Sequence, residues 1–141
     1  MREIKFRAWD KRDKKFIMDY RKVMPCSYEG EKYDVKVGGG RNYLSVYVWN
    51  DYGEDCELLL YTGLKDKDGR EIYEGDIVKY EGLLGEKRIG TVKYIEERAL
   101  FAIVDKDADD DLCALDLSCA ENIEVIGNIY ENPELLEEAE K

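Results

Sequence analysis

Ile4-Lys5-Phe6-Arg7-Ala8 alternates apolar and basic residues with period two, the spacing of a strand with one wet face. Asp10-Lys11-Arg12-Asp13 reads as a turn and Phe16-Ile17-Met18 resumes an extended apolar run, so residues 3–18 are expected to form a β-hairpin. Over 19–41 Pro25, Gly30 and the Gly38-Gly39-Gly40 triplet interrupt every period, which predicts a turn or loop. Tyr43 to Trp49 is rich in β-branched and aromatic residues. It predicts a strand with Leu44, Val46 and Val48 on one face and Tyr43, Tyr47 and Trp49 on the other. Asn50-Asp51-Tyr52-Gly53 closes it, and Leu58 to Tyr61 follows as another short extended run. Asp68-Gly69 between apolar segments is a hairpin signal, because glycine accepts the positive φ that tight turns need.

From Glu74 to Val104 three apolar runs, at 75–78, 90–92 and 99–104, are separated by polar breaks. The spacing of Gly75-Asp76-Ile77-Val78 before Gly90-Thr91-Val92 is similar to that of SH3-like barrels, where glycine permits sharply bent strands. Leu112 to Leu115 and Ile123 to Tyr130 add two more strands. Asn132 as N-cap, Pro133 at the first helical position and Glu134 beside the positive helix end predict a short helix over 133–140. Leu135 and Leu136 are its anchors. The fold class expected is therefore mainly β: short strands and hairpins, an SH3-like barrel or meander in residues 74–130, and a short C-terminal α-helix. One domain is expected over 1–141, with an N-terminal hairpin subregion 1–60, a barrel-like subregion 61–131 and the helix 133–140.

Composition narrows the chemistry. The 141 residues suffice for one core. No apolar run is long enough to span a bilayer or to act as a signal peptide, so the expected location is the cytoplasm of the cell that makes it, with no membrane partner. Cys26, Cys56, Cys113 and Cys119 form no C-x-x-C pair, and with no histidine present a zinc site lacks its usual ligand spacing. Thiols are the expected state in that compartment. The formal net charge of −11 is unevenly spread. Residues 1–22 hold nine Lys/Arg against four Asp/Glu, whereas 96–141 hold three against fifteen. Such segregation speaks to solubility and partners rather than to fold.

Asp105, Asp107, Asp109 and Asp111 recur at every second position, matching the ligand spacing of an EF-hand loop and placing Leu112 and Asp116 at its eighth and twelfth positions. Asp110 then stands where that loop needs glycine, and the segment before it reads as a strand, so a solvated acidic turn is preferred. Gly38-Gly39-Gly40-Arg41 has neither phosphate-loop spacing and reads as a flexible loop. The eleven tyrosines read as strand residues with a buried ring and a wet hydroxyl. Without histidine, Ser-His-Asp and Cys-His sites are excluded, and no carboxylate pair stands out among 33 Asp/Glu. The chain is read as a non-enzyme, with no catalytic, cofactor-binding or metal-ligating residue assigned and no cofactor.

Three segments in order, Phe6-Arg7-Ala8-Trp9-Asp10, Tyr61 through Val78, and Ile126 through Leu136, give the chain a resemblance to the YopX family, encoded mainly by bacteriophages and prophages. The resemblance implies a phage setting, a compact β-rich fold and self-association; the family carries no established activity, so it implies no site residue. Turn glycines, a hairpin Asp-Gly and a helix cap are devices that specify a fold rather than a reaction. The leading expectation is a non-catalytic protein-interaction or assembly module that binds a phage or host protein, with a homo-oligomer as a further possibility. A second reading has the acidic C-terminal third imitate a nucleic-acid backbone and occupy a basic host protein. A third, disfavoured by the overall charge, has the N-terminal hairpin bind nucleic acid weakly through Lys5, Arg7, Lys11, Arg12, Lys14 and Lys15 near Trp9 and Phe16.

Overall fold

The computed structural model describes residues 5–20, 27–29, 33–39, 44–50, 52–108 and 114–137. The protein is mainly β and divides into two compact units, Met1–Leu60 and Tyr61–Lys141. In the first unit β1 (Phe6–Asp10) and β2 (Lys15–Tyr20) form the expected antiparallel hairpin. Its turn is held from within. Asp10 is buried, and its Oδ1 accepts the backbone N–H groups of Arg12 (2.9 Å) and Asp13 (3.2 Å), so the carboxylate satisfies amides that a tight turn leaves unpaired. The other edge of β1 pairs with the first part of β6 (Glu57–Lys65), Phe6 opposite Leu60 and Trp9 opposite Glu57.

The rest of the first unit corrects the loop expected over 19–41. Strands β3 (Ser27–Glu29), β4 (Tyr33–Gly39) and β5 (Leu44–Asn50) form an antiparallel sheet in that order. Gly38 and Gly39, read from sequence as loop, lie in β4 opposite Ser45 and Leu44. Local propensity loses to the partner strand here: the β-forming run of β5 supplies a complete ladder, and backbone pairing does not require a side chain. Gly40, Arg41 and Pro25 lie outside the described residues.

In the second unit residues 61–65 of β6 turn through 66–70 to pair with β7 (Glu71–Tyr73), and Gly69 takes the φ of +85° that the hairpin signal anticipates. Then β8 (Asp76–Glu81), β9 (Lys87–Ile95), β10 (Leu100–Asp105), β11 (Leu115–Asp116) and β12 (Glu121–Asn128) build an antiparallel sheet ordered β11-β10-β9-β8-β12. The apolar run of β10 is covered on both faces. Phe101 and Ile103 pack with Ile72, Val78, Tyr80, Val92 and Leu117, while Leu100, Ala102 and Val104 pack with Ile95 and Ala114. A strand with two dry faces needs a continuous apolar run, which explains why no alternation is visible there. Gly90 of β9 allows β10 to approach closely: a Cβ at this position would stand 2.6 Å from both Ile103 Cγ2 and the Val104 carbonyl oxygen.

The outer edge of β12 is closed by the turn before β7. Asp66 is 7% exposed; its Oδ1 accepts from the amides of Asp68 and Arg70 (both 2.9 Å) and its Oδ2 from the amide of Val125 (3.0 Å). Lys67 N–H donates to the Ile123 carbonyl (2.9 Å), and Arg70 Nη1 to that of Val125 (3.0 Å). The Lys65-to-Arg70 segment thus occupies donors and acceptors that an edge strand would otherwise offer to another chain.

The α-helix expected over 133–140 is replaced by a single 3-10 turn, Pro133–Leu136. Asn132 does not cap it: its Oδ1 accepts from the Asn128 amide (3.3 Å), facing back toward β12. Nine residues from Pro133 onward cannot offset the cost of helix nucleation without a packed face, and Glu134, Glu137 and Glu138 repel at helical spacing. Residues 138–141 lie outside the described set. Among the described residues no helix is long and apolar enough to cross a membrane.

Candidate interaction surface

The β8–β9 hairpin carries the most exposed apolar residues described. Its tip is Gly82-Leu83-Leu84-Gly85, closed by hydrogen bonds from Gly82 N–H to the Glu86 carbonyl (2.9 Å) and from Gly85 N–H to the Gly82 carbonyl (3.0 Å). Glu86 folds back on the loop, its Oε2 accepting from the Leu84 amide (3.0 Å). Its own amide and that of Leu84 hold the carboxyl below the usual range. Leu83 and Leu84 are therefore presented in a defined shape, 76% and 94% exposed.

Below the tip Tyr80 and Arg88 stand opposite each other on β8 and β9. The Tyr80 ring belongs to the core, while its hydroxyl donates to Asp105 Oδ2 (3.2 Å). Arg88 Nη1 meets the same oxygen at 3.3 Å, and Arg88 Nε meets Glu86 Oε1 at 3.4 Å. Burial first, and then the Asp105 charge and hydrogen bond, push the Tyr80 phenol upward. A phenol so held stays protonated, fixing one wall of the site rather than accepting protons.

Two hollows flank the hairpin. One, about 560 Å³, is bounded by Leu83, Leu84, Leu115, Ala108 and Asp107. The other, about 830 Å³, runs over the solvent side of β12, β8 and β9, where alternation brings Lys79, Glu81, Lys87, Ile89 and Glu124 to one face. Its carboxylates are engaged: Glu124 with Lys67 (3.5 Å), Asp107 with Lys106 (3.0 Å), and Glu81 with the Asn122 amide nitrogen (2.9 Å). Lys79 and Lys87 are exposed and have no ion-pair partner among the described residues. An apolar knob, a partly apolar hollow and two uncommitted cations suit recognition of another macromolecule's surface.

The sites weighed from sequence fall elsewhere or are committed to structure. Asp105 ends β10, with Oδ1 accepting the Asp107 amide (2.9 Å) and Oδ2 used by Tyr80 and Arg88. Asp116 accepts from the amide and hydroxyl of Ser118 (2.9 and 2.8 Å), which hold its carboxyl below the usual range. Asp109, Asp110, Asp111 and Leu112 lie outside the described residues. Among the described residues no group of three His, Cys, Asp or Glu is placed to hold a metal ion.

In the N-terminal hairpin Lys11 pairs with Glu57 (3.2 Å), and Arg12 pairs with Glu54 (2.9 Å) while stacking over Tyr52 at 3.6 Å. Arg7 lies over the Phe16 ring (4.6 Å), which meets Trp9 edge-on. Lys14 and Lys15 are exposed, and Lys5 is half-buried. Of the aromatic face expected on β5, Tyr47 and Trp49 stack at 5.9 Å with Tyr47 exposed; Tyr61, Tyr73 and Tyr80 are buried. Sequence reasoning missed the hairpin tip and the Tyr80–Asp105–Arg88 group. The available signal was a leucine pair between two glycines, since a turn has no core to fill.

These features define a two-unit antiparallel β protein whose buried carboxylates hold turns and whose two most exposed large apolar residues, among those described, sit side by side at the tip of one hairpin. The chain belongs to the YopX protein family, whose model matches residues 5–137. Among solved structures it is similar to the crystal structure of protein EF1440 from Enterococcus faecalis, at 27% sequence identity and a TM-score of 0.52, over 94% of this chain and 97% of that one. Comparison with curated proteins finds no match.

Proposed function

We propose that this protein is a non-catalytic protein-interaction module of a phage or prophage, acting in the host cytoplasm and meeting its partner at the β8–β9 hairpin. The observation that carries the reading is the leucine pair: two adjacent large apolar side chains, 76% and 94% exposed, on a loop closed by three hydrogen bonds. Exposed apolar groups on an ordered hairpin mark contact sites, since burying each one in a partner is worth roughly 1.5–3 kcal/mol. The buried carboxylates Asp10 and Asp66 support the same reading, because both are engaged in accepting backbone amides within turns. We read the second unit as a variant of the SH3-like barrel. The β8–β9–β10 meander, the close crossing at Gly90 and the return of β12 beside β8 support that assignment.

A photo-crosslinker placed at Leu84 in cells tests the proposal. It should yield one dominant covalent protein adduct that is absent when the same group replaces Lys93, at the end of β9 remote from the tip. No adduct at position 84 under conditions where the protein is folded sinks the reading.

The acidity of the second unit favours an alternative, imitation of a nucleic-acid backbone toward a basic host protein. Residues 61–141 carry ten Lys/Arg against 22 Asp/Glu. Under that alternative the partner would dissociate steeply with added salt and would ignore Leu83 and Leu84. Direct nucleic-acid binding by the N-terminal hairpin is less well supported, because Lys11 and Arg12 already face Glu57 and Glu54.

A further inference from the structure

We infer that the partner segment lying against this hairpin is extended and acidic, with carboxylates at alternate positions seated on Lys79 and Lys87 and apolar residues continuing onto the leucine tip. The inference rests on the interaction reading above and adds the chemistry of the occupant. The second unit is short of cations, with ten Lys/Arg against 22 Asp/Glu. Yet five of the ten, Lys67, Lys79, Lys87, Arg88 and Lys106, line a single hollow of about 830 Å³ over β12, β8 and β9. Three of these are spent inside the fold. Lys67 meets Glu124 (3.5 Å), Lys106 meets Asp107 (3.0 Å), and Arg88 meets Glu86 and Asp105 (3.4 and 3.3 Å). Glu81, the remaining carboxylate of the hollow, accepts from the Asn122 amide nitrogen (2.9 Å). Lys79 and Lys87 are exposed and meet no carboxylate among the described residues, so the charges the hollow still offers are both positive.

Strand register fixes how the two lysines are spaced. Lys79 stands opposite Ile89 and Lys87 opposite Glu81, so they are diagonal neighbours on one face, about 7–8 Å apart along the backbone. An extended chain repeats its side chains on one face every ~6.6 Å, which matches acidic residues at i and i+2. The line from Lys79 to Lys87 runs toward the tip, so the next residues of such a chain arrive at Leu83 and Leu84. The interleaved carboxylates decide between a peptide and a nucleic acid. A peptide brings backbone N–H groups for the lone pairs that Glu81 and Glu124 have left, whereas a phosphate backbone brings acceptors and is repelled. A hollow of about 830 Å³ takes a ligand of a few residues rather than a folded domain.

Amide NMR titrations of the full chain with end-blocked hexapeptides test this, in about 0.15 M salt, where the unit's acidic excess is screened beyond a Debye length. The probes are Glu-Thr-Glu-Thr-Leu-Leu, its isomer Glu-Glu-Thr-Thr-Leu-Leu, and Lys-Thr-Lys-Thr-Leu-Leu. The first should shift the amides of Lys79, Lys87 and Leu84 saturably and bind about fivefold more tightly than the lysine peptide, with the isomer in between. K79Q/K87Q should abolish that preference while the rest of the spectrum stays unchanged, and K79R/K87R, which keeps both charges, should retain it. Equal binding of the glutamate and lysine peptides overturns the inference, as does a preference that K79Q/K87Q leaves in place or the lack of a saturable shift with any peptide. Equal binding of the isomer overturns the alternate spacing. Tighter binding of an oligothymidylate at the same amides overturns the choice of a peptide. If the crosslinker at position 84 captures one partner in equal yield from wild type and K79Q/K87Q, the interaction reading stands and only the acidic chemistry of the occupant is wrong.

Discussion

Asp66 shows how single polar side chains hold this fold. Burial pushes its carboxyl up, but the amides of Val125, Arg70 and Asp68 outweigh that and keep it below the usual carboxylate range. A group whose folded-state pKa is depressed stabilises the native state above its unfolded pKa, about 3.9, and loses that contribution as pH falls through the lower folded value. D66A, which strands three amides, should cost roughly 2–4 kcal/mol in urea unfolding at pH 7, and the gap to wild type should shrink at about pH 3. A constant gap between the two pH values would contradict this account. Asn128 works in the same way at the end of β12, its Oδ1 accepting from Tyr130 and Glu131. Cysteine reactivity should follow environment too. Burial first, then Asp10 and Asp55, push the Cys56 thiol up to about 11, whereas Cys119 is exposed. Iodoacetamide at pH 8 followed by peptide mass spectrometry should label Cys119 well before Cys56. Equal rates would mean the first unit opens readily.

At the level of elements, strands and turns with local signals were legible in the sequence. The period-two start of β1, the Asp-Gly turn with Gly69 at φ +85°, and the apolar runs of β8 to β10 all appear where the pattern puts them. What escaped depends on partners far along the chain. Gly38 and Gly39 are strand because β5 lies beside them, and Asn132 leaves the turn uncapped while its Oδ1 accepts from the Asn128 amide. The leucine tip could be read in the sequence only as a pair between two glycines, and its meaning as a site comes from the exposure of Leu83 and Leu84 in the fold. Gly90 supplies a sharp test of strand approach. G90A would press its methyl into Ile103 and the Val104 carbonyl, and because one of these is backbone, relief requires β9 and β10 to separate. The expected loss is about 3 kcal/mol in chemical denaturation, with β-sheet circular dichroism retained at low denaturant. A loss under about 1 kcal/mol would show that the ladder yields easily.

For the whole molecule, charge is unevenly divided: the first unit is close to neutral, with twelve Lys/Arg against eleven Asp/Glu, and the excess of acid lies beyond residue 60. Self-repulsion of that excess destabilises the compact state, so sodium chloride at about 0.5 M should raise the thermal midpoint by a few degrees relative to low salt. A lowered midpoint would point instead to ion pairs such as Lys67–Glu124 outweighing the repulsion. The chain passes from one unit to the other within β6 rather than in a loop, Leu60 ending the first and Tyr61 beginning the second. Truncation at that point would therefore leave a piece ending Leu58-Leu59-Leu60, laddered on β1 along one edge only, an oily ribbon of the sort that recruits its neighbours into precipitate.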